Sequence, residues 1–375
     1  MLGIDENNTE IINKKQITKE KKVKNNTHIV VDNKNIINNN VINSIQNISI
    51  SNNSNQIIKS NDVIKNIKNK ELKLTNIPKP FLKWVGGKTQ IIDNVINNFP
   101  KKIINYHEPF LGGGSVLLAL LFKIHNGHIK LSGKIYVYDL NEGLINLYNN
   151  IKNNKDELFK LIQKYIKEYD SISGSDVNRN PNNLEEAKTS KESYYYYLRK
   201  KFNKTDKSSL DYSALFLVLN KLCFRGVYRE GPNGFNVPYG HYKTTPGVIS
   251  ELDIKMYSKL FKNVIFRKED FTKSMTKINK GDFVYLDPPY APENVKSFVG
   301  YTKDGFGLEN HKKLFDLIKS LHNKKIKFMM SNAKVDLVTT SFQNNEYKIT
   351  DIEAKRSIHS KNPGTKTTEV IITNY

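Results

Sequence analysis

A carboxylate, two prolines and a phenol stand in succession at Asp287-Pro-Pro-Tyr290, directly behind the apolar run Phe283-Val-Tyr-Leu286. Both prolines lack an N–H and fix their own φ, so a strand ending there must stop and present an acceptor, a bare carbonyl and an aromatic ring together. That trio is suited to gripping a flat nucleobase by its exocyclic amine; a plain strand end in a Pro-Pro turn is the competing reading. Upstream, Glu108-Pro-Phe-Leu-Gly-Gly-Gly-Ser115 joins an acid to glycines that let the backbone approach a ligand closely, and a helix starting behind them would offer free N–H groups. Asp139 closes the run Lys134-Ile-Tyr-Val-Tyr-Asp139, placed either to accept hydrogen bonds from ribose hydroxyls or to cap the next helix. The glycines match neither common phosphate site. A dinucleotide fingerprint needs a glycine where Leu117 stands, and a phosphate-binding loop ending at Gly87-Lys88-Thr89 needs one where Leu82 stands. A nucleoside-containing cofactor is favoured, with no demand for phosphate binding.

These groups need a frame that brings strand ends together. Tyr106 to Gly114 reads as a strand entering a glycine turn, Ser115 to Phe122 as an apolar helix, Lys134 to Asp139 as a second strand and Glu142 onward as a second helix. This alternation predicts an α/β fold with a doubly wound, mostly parallel sheet. Strands resume at Asn263 to Arg267, Phe283 to Leu286, Lys325 to Met330 and Thr368 to Tyr375, with a helix at Leu308 to His322. Residues 146 to 248 differ in texture, with helical segments at Leu158 to Tyr169, Tyr194 to Phe202 and Ala214 to Leu219, then a Gly/Pro/Asn-rich loop from Arg225 to Gly247. They are expected to form an insertion between two halves, 79–145 and 249–375, of one catalytic domain. Tyr194 to Tyr197 are expected to pack into core and surface, since consecutive helical residues face different directions.

Residues 1 to 78 contain no Phe, Tyr or Trp although the chain has 20 Tyr and 18 Phe, and Asn, Ile and Lys dominate there. Such a segment buries too little surface to offset its chain entropy, so a disordered tail is expected. Of 59 Lys+Arg and 37 Asp+Glu, which give a net charge of +22, the tail holds only 12 Lys and 7 acids. The basic character therefore belongs mainly to the remainder and points to a polyanion, with nucleic acid first and an anionic membrane surface second. A single cysteine, Cys223, excludes internal disulfides and multi-cysteine zinc sites and fits a reducing compartment. The longest apolar run, Val116 to Phe122, is too short to span a bilayer, and with neither a basic nor an apolar stretch in the opening residues no secretory signal is expected. An intracellular protein is expected, monomeric and without an obligate protein partner or metal.

Five segments occur in the order found in Dam-type DNA adenine-N6 methyltransferases, which the chain resembles from about residue 80 onward. They are Phe81-Leu-Lys-Trp-Val-Gly-Gly-Lys88, Glu108 to Ser115, Tyr138-Asp-Leu-Asn141, Phe235-Asn-Val-Pro-Tyr-Gly240 and Asp287-Pro-Pro-Tyr290. The resemblance implies a Rossmann-like fold, S-adenosylmethionine as cofactor and double-stranded DNA as partner, with 146–248 reading the target. It implies cofactor contacts from Trp84, Lys88, Glu108, Phe110, Gly112, Asp139, Asp270, Phe271 and Asp287, with Lys88 toward the methionine carboxylate. For Asp270 a helix cap is the rival reading. Catalysis would fall to Asp287, Pro288 and Tyr290. Hydrogen bonds from an adenine amine to the Asp287 carboxylate and the Pro288 carbonyl would free the nitrogen lone pair, while Tyr290 stacks on a base flipped from the helix.

For DNA, the resemblance implies Lys83, Phe224, Arg225, Arg229, Asn236, Pro238 and Arg356. Leu219-Asn-Lys-Leu-Cys-Phe-Arg-Gly-Val-Tyr-Arg229 resembles the family's reading hairpin, with Arg229 on a guanine of GATC and Phe224 as a wedge in the base stack. Arg225 departs from the Asn of several members. Lys355 to Lys366 reads as a basic hairpin over the phosphate backbone. Cytosine-C5 chemistry is not expected, because Cys223 lies between Leu222 and Phe224 rather than after a proline. RNA adenine methylation, cytosine-N4 methylation and an inactive DNA-binding relative stand as alternatives.

Overall fold

The computed structural model describes residues 74–292, 306–342, 345–355 and 366–375. The expectation of disorder for residues 1 to 73 and the reading of Arg356 lie outside the described residues. Within the segment read as tail, Ile77 packs on the core and Pro78 is buried, so packed chain already begins there.

Seven strands form the main sheet: β1 (Tyr106–Glu108), β2 (Ile135–Asp139), β3 (Val264–Lys268), β4 (Phe283–Leu286), β5 (Lys327–Ala333), β6 (Lys348–Lys355) and β7 (Lys366–Thr373). Their spatial order is β6-β7-β5-β4-β1-β2-β3. Pairing is parallel from β5 across to β3, and antiparallel where β7 joins β5 and β6. All four residues of β4 are buried, which accounts for its unbroken apolar run: a central strand in a sheet covered on both faces has no side to give to water. From β1 the chain works outward through β2 and β3; from β4 it goes the other way through β5 to the edge strand β6, and β7 returns between β5 and β6. Strand order therefore reverses between β1 and β4, which pair at Tyr106–Phe283 and His107–Val284, and ligands bind such sheets beyond the carboxyl ends at this reversal. Glu108 ends β1 there, and Asp287 follows β4.

Helix α1 (Ser115–His125) is buried from Ser115 to Leu121. Helix α2 (Glu142–Asn153) runs through the boundary expected at 146, capped by Asn141, whose side chain accepts from the Leu144 N–H. The next helices are α3 (Lys155–Asp170), α4 (Lys191–Lys204) and α5 (Leu210–Leu222). Ile162, Tyr195 and Leu215 from these helices share one buried cluster with Val137 and Tyr285 of the sheet. Tyr194 and Tyr195 are fully buried, while Tyr196 and Tyr197 are partly so. The stretch expected as a loop from Arg225 carries a short hairpin, Glu230–Gly231 against Gly234–Phe235, and an isolated bridge from Cys223 to Tyr239. Helices α6 (Glu251–Leu260) and α7 (Leu308–Asn323) complete the layers. Strand β5 starts two residues later than the apolar pattern suggested, because Lys325 at φ 57° still belongs to the turn leaving α7. Among the described residues no helix is long and apolar enough to cross a membrane.

Candidate active site

One cavity of about 1100 Å³ opens at the reversal point of the sheet. Its lining includes Trp84, Lys88, Glu108, Phe110, Gly112, Asp139, Asp270, Phe271, Asp287, Pro288 and Tyr290, so every residue expected at the cofactor or in catalysis faces the same space.

The glycine turn is held by close packing and by an acid. Gly112 and Gly114 take left-handed φ of 49° and 69°. A Cβ on Gly113 would sit 2.7 Å from Trp84 Cβ, so the glycine there is what lets Trp84 lie against the turn. The Gly112 N–H donates to Asp139 Oδ2 at 2.9 Å and the Asn141 N–H to Asp139 Oδ1 at 2.9 Å. The choice between cap and ligand at Asp139 is thereby narrowed: Asn141 caps the helix, and Asp139 ties the glycine turn to the tip of β2. Burial raises its carboxyl above the usual range, and the backbone donors oppose that rise. Asp270 does cap a short helix, accepting from the Thr272 N–H at 2.9 Å, and also lines the cavity. Phe110 and Phe271 stack at 5.5 Å and form an apolar wall.

At the other end, Lys88 Nζ lies 2.8 Å from Asp287 Oδ2, donates to the Gly86 carbonyl at 2.6 Å and sits 4.8 Å from the centre of the Tyr290 ring. The resemblance implies only a cofactor contact for Lys88; its pairing with Asp287, 199 positions away, has no signal in the sequence. Burial pushes the Asp287 carboxyl up and the Lys88 ammonium opposes it, the balance expected for an acid ion-paired in a dry cleft. Glu108, at the floor, accepts from the Tyr106 hydroxyl at 2.8 Å, and burial pushes its carboxyl up to about 8. The Tyr290 hydroxyl donates to Glu369 Oε2 of β7 at 2.7 Å, a partner the sequence did not point to.

Those residues expected at DNA that lie among the described ones are tied together in pairs. Lys83, the neighbour of Trp84, is held against the turn at Phe224 to Gly226 by buried Asn220. The Asn220 side chain accepts from the Lys83 N–H at 2.9 Å and donates to the carbonyls of Lys83 at 2.8 Å and Gly226 at 3.1 Å. Phe224, 46% exposed, donates its N–H to the Pro238 carbonyl at 2.9 Å. Arg225 lies 5.2 Å over the Phe224 ring and sits at φ 55°, a left-handed conformation that an Asn adopts with less strain. Arg229 is exposed, and its Nε donates to Asn236 Oδ1 at 2.7 Å. Cys223 is buried, which pushes its thiol up to about 11 and leaves it without nucleophilic use. Cavity and surface patch are joined by rings: Trp84 stacks on Tyr228 at 5.6 Å and on Phe216 at 6.3 Å, and Phe216 stacks on Tyr228 at 5.1 Å.

Residues 84–358 match the family model of the D12 class N6 adenine-specific DNA methyltransferases. The chain belongs to that family. It is 37% identical over 309 residues to the type II methyltransferase M.MjaIII of Methanocaldococcus jannaschii, covering 79% of this chain and 99% of that protein. To the DNA adenine methylase of Haemophilus influenzae it is 32% identical over 76% of this chain and 89% of the other, and to that of Escherichia coli K12 30% identical over 76% and 91%. This D12 methyltransferase is thus an enzyme of DNA adenine methylation, and its family and fold imply a methyl donor. Among its described residues no cluster of three His, Cys, Asp or Glu is arranged to hold a metal ion.

Proposed function

We propose that this chain, as a monomer, transfers the methyl group of S-adenosylmethionine to the amine of an adenine flipped out of duplex DNA, within GATC. The reading rests on one observation: the glycine turn and Asp139 share a single cavity with Asp287, Pro288 and Tyr290. At about 1100 Å³ it exceeds the roughly 300–1,000 Å³ usual for one small ligand, which suits a cofactor and a base together.

The residues present fit S-adenosylmethionine. Asp139 would take the ribose hydroxyls, the Phe110–Phe271 wall the adenine, and Lys88 the carboxylate with its remaining N–H. When bound, the cofactor supplies a methyl group on a positively charged sulfur. The chain's own residues orient the acceptor. Since Asp287 receives Lys88 on Oδ2, its Oδ1 is assigned to the substrate amine, and the Pro288 carbonyl takes the second amine proton. Both bonds draw the nitrogen toward tetrahedral geometry and free its lone pair, while the walls exclude water. Stacking on Tyr290 returns roughly 1–3 kcal/mol of the cost of extrusion. Residues 146–248 would carry sequence reading, with Arg229 on guanine and Phe224 filling the gap in the duplex.

Incubation with labelled S-adenosylmethionine and duplexes with or without GATC, followed by nucleoside mass spectrometry, is expected to give N6-methyladenine only with GATC. Absence of N6-methyladenine on every duplex overturns the reading; methylation regardless of GATC overturns the specificity alone. Asp287→Ala is expected to abolish transfer without unfolding the chain.

A further inference from the structure

Tyr290 follows two prolines and so lies where the backbone offers no N–H of its own at positions 288 and 289 to hold the loop. What holds it comes from the antiparallel pair β5–β7. The Ala291 N–H donates to buried Asn332 Oδ1 at 3.1 Å, and the Tyr290 hydroxyl donates to Glu369 Oε2 at 2.7 Å. Asn332 and Glu369 are one register step apart, since Val370 pairs with Asn332 and Glu369 with Ala333. The β5–β7 pair thus grips the main chain behind the ring and the far end of the ring itself. Glu369 also lines the cavity. On the ring's face stands the Lys88 ammonium, 4.8 Å from its centre, and that lysine is in turn fixed to Asp287.

We propose that Glu369 is a positioning residue for methyl transfer: by accepting the Tyr290 hydroxyl it locks the ring in the one orientation that stacks on the extruded adenine and lies against Lys88. The inference rests on the reading that Tyr290 faces the target base. A half-buried Tyr ring on a Pro-Pro turn, without that hydrogen bond, is free to change χ1 well, and each departure from the stacking plane leaves the adenine unsupported beside Asp287. In this role Glu369 acts through the phenol, whose hydroxyl it holds. A hydrogen bond to a charged acceptor corresponds to roughly ten- to hundredfold in rate when lost.

The test is a double-mutant cycle in the full chain with a GATC duplex, read as kcat, KM for DNA and the fluorescence of 2-aminopurine placed at the target adenine. Glu369→Ala is expected to lower kcat roughly ten- to hundredfold and to diminish the 2-aminopurine rise, with KM for DNA changing less. Glu369→Gln, which keeps an acceptor oxygen, is expected to recover most of the loss and guards against a simple folding defect. In the Tyr290→Phe background, which is itself impaired, Glu369→Ala should add less than about twofold, because the bond it removes is already gone. A full additional loss in that background, or no loss from Glu369→Ala in the parent, overturns the positioning role. If the parent chain itself shows neither methylation nor a 2-aminopurine rise, the functional reading fails first and the inference falls with it.

Discussion

Glu108 sits at the floor of the cavity as an acid that burial drives up to about 8, with the Tyr106 hydroxyl donating to it and Asp287 nearby adding to the rise. Its unfolded-state value is near 4.5. Between these limits the folded chain holds a proton that the unfolded chain has released, so the unfolded state binds fewer protons and stability falls as pH rises. Stability from this group is full below the unfolded value, declines through the interval and is lost above about 8. Glu108→Gln, a neutral isostere, is expected to remove that slope, melting higher than the parent at pH 8 and close to it at pH 5; parallel melting curves against pH for the two chains would count against a proton on Glu108. Residue types were readable at this scale where the neighbours in sequence are also the neighbours in space, as in Asp287-Pro-Pro-Tyr290. Lys88 on Asp287 and Tyr290 on Glu369 were not, because each joins positions brought together only by the reversed strand order.

At the scale of elements, Asn220 near the end of α5 joins three segments by bonding both backbone groups of Lys83 and the carbonyl of Gly226. Removing its amide strands these buried groups at about 1–3 kcal/mol. Asn220→Ala is therefore expected to lower the melting temperature and, since Lys83 and the turn at Gly226 lose their common anchor, to weaken duplex binding more than cofactor binding; equal affinity for duplex in a titration would remove Asn220 from that role. Strands β2 and β4 were legible because short apolar runs end at an acid, and β1 because the glycine turn follows it. The hairpin Glu230–Gly231 with Gly234–Phe235 was not, since two-residue strands carry no alternation to read. Strand β5 continues through Ser331 and Asn332 because β7 pairs with it, a tertiary reason that local hydropathy lacks.

For the whole molecule, a net charge of +22 is consistent with a polyanionic substrate, and the family membership supplies which one. The class of fold followed from the alternation of elements, whereas the strand order that sets β1 beside β4 depends on crossovers that no local pattern encodes. One further consequence follows from the ring stack of Trp84, Tyr228 and Phe216, which touches the cavity at one end and the neighbour of Arg229 at the other. A molecule that presses on Trp84 and a duplex that engages Arg229 then act on the same three rings. The two ligands are expected to be thermodynamically linked, each tightening the other by one and the same factor, on the order of 5- to 150-fold. Titrating cofactor with and without duplex measures that factor, and Tyr228→Leu should bring it toward unity; affinities that are independent in the parent chain would show that the stack transmits nothing. By this linkage the chain would hold its methyl donor most firmly when a correct sequence is in place, so that recognition and commitment to reaction become one equilibrium.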